Sequence, residues 1–104
     1  MGFVYLIYDQ NNDNYKIGVT KRDPNIRLKK LQTGNPCKLK LICFYKCEYP
    51  YRLEKMLHTH YKLSKELNEW FFIEDPDEFL SKCEFFDKTI NVLKDNPFFS
   101  KNLK

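Results

Sequence analysis

Two β-rich runs near the N-terminus, Phe3-Val4-Tyr5-Leu6-Ile7-Tyr8 and Tyr15-Lys16-Ile17-Gly18-Val19-Thr20, restrict the fold more than any other feature of the chain. Between them lies Asp9-Gln10-Asn11-Asn12-Asp13-Asn14, rich in turn formers and almost without apolar content. That order predicts a β-hairpin with a long connection. Strand side chains alternate faces, so Phe3, Tyr5 and Ile7 share one side and Val4, Leu6 and Tyr8 the other. A basic segment follows at once: Lys21, Arg22, Arg27, Lys29 and Lys30, opposed only by Asp23. A tyrosine-bearing hairpin that runs into a short basic helix points to a site facing phosphate.

At 104 residues there is room for one core, and 42% hydrophobic and 16% aromatic content gives it ample material. The formal charge of +4 is modest, and its distribution says more. Residues 16–30 are basic, whereas 74–87 carries Glu74, Asp75, Asp77, Glu78, Glu84 and Asp87 against Lys82. One end can therefore meet a polyanion that the other repels, the alternative being an ordinary solvated surface. No apolar run approaches transmembrane length, and the N-terminus lacks a signal-peptide pattern. The expectation is an intracellular chain with its four cysteines reduced. Cys43 and Cys47 would share a strand face but stand roughly 13 Å apart, too far for one zinc ion. Cys37 and Cys83 form no CxxC pair, so the thiols read as small buried hydrophobes.

Asp23-Pro24-Asn25 predicts a helix start, with an N-cap and Pro in the first turn. Ile26, Leu28 and Leu31 would form its buried side, with Arg27 and Lys30 neighbours on another. Gly34 and Pro36 end it. Leu39 to Cys47 reads as a third strand, apolar enough to be covered on both faces. A second helix is expected from Pro50 to about Leu63, with Leu53, Met56, Leu57, His60 and Tyr61 toward the core. Glu54 and His58 lie in a separate row on neighbouring turns. His58 and His60 are about 200° apart around the helix, so one metal ion cannot use both. His60 is read as a core or half-buried histidine; His58 is either a site residue or part of a solvated face. Lys65 to Glu69 is expected as a loop before a short aromatic strand at Trp70-Phe71-Phe72-Ile73. Asp75-Pro76-Asp77-Glu78 is a capping box, and Phe79, Cys83, Phe86, Ile90 and Leu93 form the apolar stripe of a last helix. Phe98-Phe99 begins a short tail.

Val4-Tyr5-Leu6, Tyr15-Lys16-Ile17-Gly18, Arg27 in a basic helix and Leu53-Glu54 in a later one resemble the GIY-YIG nuclease superfamily. The closer likeness is to its branch of phage-type DNA-binding or meiotically up-regulated domains, found in phages and large DNA viruses. Leu31-Gln32-Thr33-Gly34-Asn35-Pro36, Leu53 to His58, and Glu69-Trp70-Phe71 are similar to that branch's other signatures. The likeness spans residues 3–73 and leaves out the helix after Asp75. It implies an α+β fold with a three-stranded antiparallel sheet flanked by helices. Residues 1–74 would form the core, with 75–104 an added helix and tail on the same domain. It further implies a phosphodiesterase site using one Mg²⁺ or Mn²⁺, DNA as partner with RNA open, and a place in the cytoplasm or nucleus of a host cell. By position, Tyr5 and Gly18 belong to the two strand motifs, Arg27 to the helix arginine and Glu54 to the metal ligand. Lys16, Tyr15 and His58 are further catalytic candidates, and Lys21, Arg22, Lys29, Lys30 and Asn68 candidate nucleic-acid contacts. The chain departs from the nuclease pattern where Lys16 stands near the second-motif tyrosine position, and where Leu31 replaces a histidine one turn after Arg27.

These residue types suit the chemistry. Arginine gives a planar, bidentate grip on phosphate oxygens that lysine does not. A single carboxylate is enough for Mg²⁺, which keeps waters and takes phosphate oxygens. A free tyrosine has a pKa of about 10, so a base role for Tyr5 needs stabilisation of its phenolate. Two readings stay open: a metal-dependent endonuclease, and a binding module of the same fold with weak or no catalysis. A protein-binding module built on the last helix and the aromatic tail has no motif behind it.

Overall fold

The computed structural model of the chain describes residues 1–62, 65–67 and 70–96, with 65–67 described by their backbone alone. The hairpin forms where the alternation puts it. β1 (Gly2–Asp9) pairs antiparallel with β2 (Asn14–Thr20) in unbroken register, Tyr5 opposite Gly18 and Ile7 opposite Lys16. Asp9 organises the connection. Its carboxylate accepts from the Asn11 and Asn12 amides at 2.9 and 3.1 Å and from the Asn12 side chain at 2.7 Å. Asp13 takes the left-handed conformation with φ 52°, which aspartate tolerates better than most residues. α1 (Pro24–Gln32) starts as expected, with the Asp23 carboxylate accepting from the Asn25 amide at 2.8 Å.

After α1 come β3 (Leu39–Cys47), α2 (Pro50–His60), β4 (Lys65–Leu67), β5 (Trp70–Phe71), a 3-10 turn at Pro76–Glu78, and α3 (Phe79–Leu93). The sheet runs β3-β1-β2-β5-β4 with antiparallel neighbours. The α+β architecture is the one expected, but the sheet has five strands rather than three. Two very short strands extend it, and the stretch expected as a loop from Lys65 supplies one of them.

β3 corrects a second expectation. It is an edge strand whose residues alternate between buried and exposed, not a strand covered on both sides. Its register on β1 slips between Leu6 and Ile7: Leu6 faces Cys43, while Ile7 faces Leu41. Ile42 is the extra residue of this β-bulge, and it switches which face of the strand is buried. Leu39 and Leu41 pack with Tyr5, Ile7, Leu28 and Leu31 under α1. Cys43, Tyr45 and Cys47 pack on the other face, with Val4, Leu6, Leu53, Leu57 and α3. An almost continuous apolar run thus serves two cores in turn, each from one side.

The larger core lies between the sheet and α2 and α3, where Val4, Leu6, Ile17, Leu53, Leu57, Phe71, Phe79, Cys83 and Ile90 are fully enclosed. Each such side chain contributes roughly 1.5–3 kcal/mol of transfer free energy. Two polar links fasten α3: the Tyr45 hydroxyl donates to Asp87 Oδ2 at 2.9 Å, and that of Tyr61 to Glu78 Oε1 at 3.4 Å. Glu78 therefore faces Tyr61, while the Asp75 carboxylate caps the 3-10 turn through the Asp77 amide. Ile26 and His60 depart from their expected burial. Ile26 is exposed on the outer side of α1. His60 lies on the surface seam between α2 and α3, 4.0 Å from Glu78 and edge-on to Phe86. α2 ends at His60, short of the expected Leu63, which lies outside the described residues, as do Asn68 and the tail at Phe98-Phe99.

Candidate functional site

Tyr5 and Gly18 are cross-strand partners on the face that α1 covers, and they define the site. A Cβ on residue 18 would overlap the Tyr5 hydroxyl, Cζ and Cε1, so the ring lies across the bare backbone of its neighbour. Only glycine leaves room for that approach. Tyr5 is 1% exposed, and its hydroxyl accepts from Arg27 Nε at 3.4 Å. Strand register, glycine and helix start thus bring together residues 5, 18 and 27. Tyr5 is the floor and the half-buried Arg27 guanidinium the rim. Among the described residues no carboxylate pairs with Arg27, nor with Lys21, Arg22, Lys29 or Lys30, all four of which are exposed.

His58 reaches the same strand from the opposite face, and Glu54 precedes it by one turn of α2. α2 starts with Pro50 against Gly2 and close to the Thr20 carbonyl, and His58 Nε2 sits 3.0 Å from the Ile17 carbonyl oxygen. The helix therefore runs along β2 against its direction. Glu54 is one turn before His58, about 6 Å back, which brings it alongside Gly18–Val19. Among the described residues β5 pairs with β2 at Tyr15 and Lys16 only. That edge of β2 from Ile17 onward thus has no strand paired to it among the described residues. His58 is engaged with backbone and edge-on to Phe71 at 5.0 Å. It does not share a pocket with Tyr5.

Lys16 and Tyr15 separate. Lys16 is buried on the Tyr5 face, its Nζ 5.8 Å from the centre of the Trp70 ring. The regular register puts Tyr15 on the α2 and α3 face instead, stacked at 4.8 Å on Tyr8. Its phenol is pushed up by burial and then by the charges of Asp13 and Asp77, which opposes its ionisation. Tyr15 is therefore not part of the Tyr5–Arg27 group. Leu31 packs into the small core under α1. Of the candidate nucleic-acid contacts, Lys21, Arg22, Lys29 and Lys30 surround the site on the β2–α1 connection and on α1.

Sequence reasoning missed the part played by Gln32. Its amide Nε2 donates to the carbonyls of Asn35 and Cys37 at 3.2 and 2.8 Å, and its Oε1 accepts from the Leu39 amide at 2.9 Å. One side chain thereby sets the path from α1 into β3. Gly34 turns that loop with φ 73°, and the Asn35 side chain accepts from the Cys37 amide. The hairpin tip is tied to the same loop by Gln10 N–H donating to Lys38 O and Lys38 N–H to Asn11 Oδ1. The Leu31–Pro36 motif thus holds the scaffold under the site. The signal available in the sequence was a glutamine at a helix end followed by Gly and Pro, whose exposed backbone groups need partners.

Charge and acidity complete the setting. Burial works against ionisation of Asp9, but hydrogen bonds from Asn12, Asn11 and Cys37 outweigh it and hold the carboxyl below its ordinary range. Burial pushes the Cys43 and Cys47 thiols up to about 11, and that of Cys83 further, so these are packing groups rather than nucleophiles. Among the described residues no three His, Cys, Asp or Glu side chains gather where they could hold one metal ion. Nor is any described helix long and apolar enough to cross a membrane.

Comparison with curated proteins gives no match, and neither does comparison with solved structures. Comparison with protein-family models does. The T5orf172 domain model matches residues 2–95, from the start of β1 through the whole of α3. The matched region includes the last helix. With nearly its full length matched, the chain belongs to the T5orf172 domain family.

Proposed function

We propose that this protein is a GIY-YIG-like endonuclease that hydrolyses DNA phosphodiester bonds with the help of one divalent metal ion. The observation that carries the reading is Arg27: a half-buried guanidinium held by a buried tyrosine, with no carboxylate partner among the described residues. A cation so placed is ready for an anion with oxygens in one plane, and phosphate supplies it. Membership of a phage-type domain family associated with nuclease-like proteins supports the same reading.

In this mechanism Arg27 takes two phosphate oxygens and neutralises charge that grows as the phosphorus is attacked. Tyr5 fixes the guanidinium from below and presents its oxygen toward the attacking water. Lys16 adds positive charge on the same face. Lys21, Arg22, Lys29 and Lys30 hold neighbouring backbone phosphates. His58 keeps α2 against β2 and so positions Glu54. One glutamate carboxylate fits Mg²⁺ or Mn²⁺, which take one or two carboxylates and fill the rest with water and phosphate oxygens; it does not fit zinc. When bound at Glu54, such an ion supplies charge stabilisation for the leaving oxygen.

A second reading has its own support. Leu31 fills the small core where the nuclease pattern has a histidine, and Tyr5 at 1% exposure lies beneath Arg27 rather than open to water. Both favour a nucleic-acid-binding module of the same fold with little turnover. Plasmid nicking in Mg²⁺ or Mn²⁺ separates the two. The nuclease reading expects Arg27→Ala and Glu54→Ala each to reduce nicking at least roughly 100-fold, with Glu54→Ala still retaining DNA in a binding assay. Salt-dependent DNA or RNA retention without nicking by the wild type would leave the binding module.

A further inference from the structure

α1 covers only part of the sheet face that carries Tyr5. Beneath it lie Ile7, Leu39 and Leu41. Past Tyr5, toward the start of β1, the same face is open. Phe44 is the direct cross-strand partner of Tyr5 on β3 and is 44% exposed. Phe3, two residues before Tyr5, meets it edge to face with ring centroids 5.6 Å apart. Lys46 pairs with Phe3 across the strands and is exposed. Lys21 and Arg22 follow Thr20, the other cross-strand partner of Phe3. Two partly open aromatic rings thus lie beside Tyr5, whose hydroxyl holds Arg27, with Lys46 on the same face and Lys21 and Arg22 just past the end of the neighbouring strand. Among the described residues none of those cations is paired with a carboxylate.

We infer that Phe44, supported by Phe3, is a stacking platform for an unpaired nucleobase next to the phosphate held by Arg27. The preferred ligand is then a nucleic acid with single-stranded or splayed bases rather than a closed duplex. Aromatic rings on an open sheet face between backbone-binding cations are the arrangement that takes single strands, because every base offers a π-face. Bases stacked inside a duplex cannot reach such a ring without being unstacked. The cations select this occupant over an apolar protein segment, whose burial would cover three charges without neutralising them. The inference rests on the reading of Arg27 as a phosphate ligand and adds to it the strandedness of the substrate.

The test compares three labelled probes by fluorescence anisotropy with the full chain: a thymidine oligomer, an abasic oligomer of the same length, and a blunt duplex. The wild type is expected to favour the thymidine strand. Phe44→Ala should weaken that binding roughly 5- to 100-fold while leaving the abasic strand unchanged. Phe44→Tyr should restore it, and Phe44→Leu should not. Equal effects of Phe44→Ala on the thymidine and abasic strands, or none on either, overturn the inference and leave the Arg27 reading intact. A wild-type preference for the duplex overturns it as well. If sedimentation shows a dimer that Phe44→Ala dissociates, the patch belongs to a second copy of the chain across the β3 edge, and the inference fails. Absence of binding to all three probes, in the wild type and in Arg27→Ala alike, removes the reading of Arg27 together with it.

Discussion

The two faces of the sheet are built to different standards. On the α2 and α3 side, nine of the described side chains are closed off from water, and polar groups that enter find each other: Tyr45 with Asp87, Tyr61 with Glu78. On the α1 side the buried cluster is small, one cation is half-buried, and an aromatic ring stands in the open. The first face holds the fold together. The second tolerates incomplete burial because the first has already stabilised the sheet, and that incompleteness leaves the Arg27 guanidinium partly open to solvent.

Breaking the first face should be the costlier change. Leu53→Ala is expected to lower unfolding free energy by about 2–5 kcal/mol in a urea titration, without altering any residue of the proposed site. Next comes the junction of the two. Gly18→Ala should cost about 1–3 kcal/mol because the Tyr5 ring has to move, and the penalty should shrink in a Tyr5→Ala background. Additivity of the two changes would disprove the close approach. Gln32→Ala removes three hydrogen bonds from the loop under α1 and should cost about 1–2 kcal/mol.

Smaller still is the effect at Asp9. Its folded pKa lies below the unfolded value of about 3.9, so its contribution is present above about pH 4 and fades as the pH falls through the folded value. Asp9→Asn should therefore cost about 1 kcal/mol at neutral pH and progressively less on acidification. A gap between the two proteins that widens below pH 4 would contradict this. At the bottom of the scale, Arg27→Ala should leave stability within about 0.5 kcal/mol, since the hydrogen bond from its guanidinium to Tyr5 is long and its surroundings partly open. A large loss there would mean that the second face is structural after all.

What the sequence made legible follows from which forces act locally. Period-two alternation placed the faces of β1 and β2, and Asp23-Pro24 placed the start of α1, because capping and alternation are read within a few residues. The resemblance named Tyr5, Gly18 and Arg27, but spacing alone carries no sign that residues 22 positions apart share a hydrogen bond. β3 was misread because a bulge leaves composition unchanged and alters only parity. β4 and β5 are too short to show a period. His60 was misplaced because helical spacing gives an angle, and the seam between α2 and α3 lies just beside the buried stripe.

The bulge at Ile42 has a consequence for how this chain can vary. One extra residue lets Leu41 and Cys43, two positions apart in the chain, serve opposite faces of the sheet. A deletion at Ile42 would remove the bulge and join Leu41 directly to Cys43, leaving them opposite Ile7 and Leu6 and on the faces they already occupy. A change of length at the bulge is thus absorbed, whereas losing one residue between Cys43 and Cys47 would reverse the face of every residue after it.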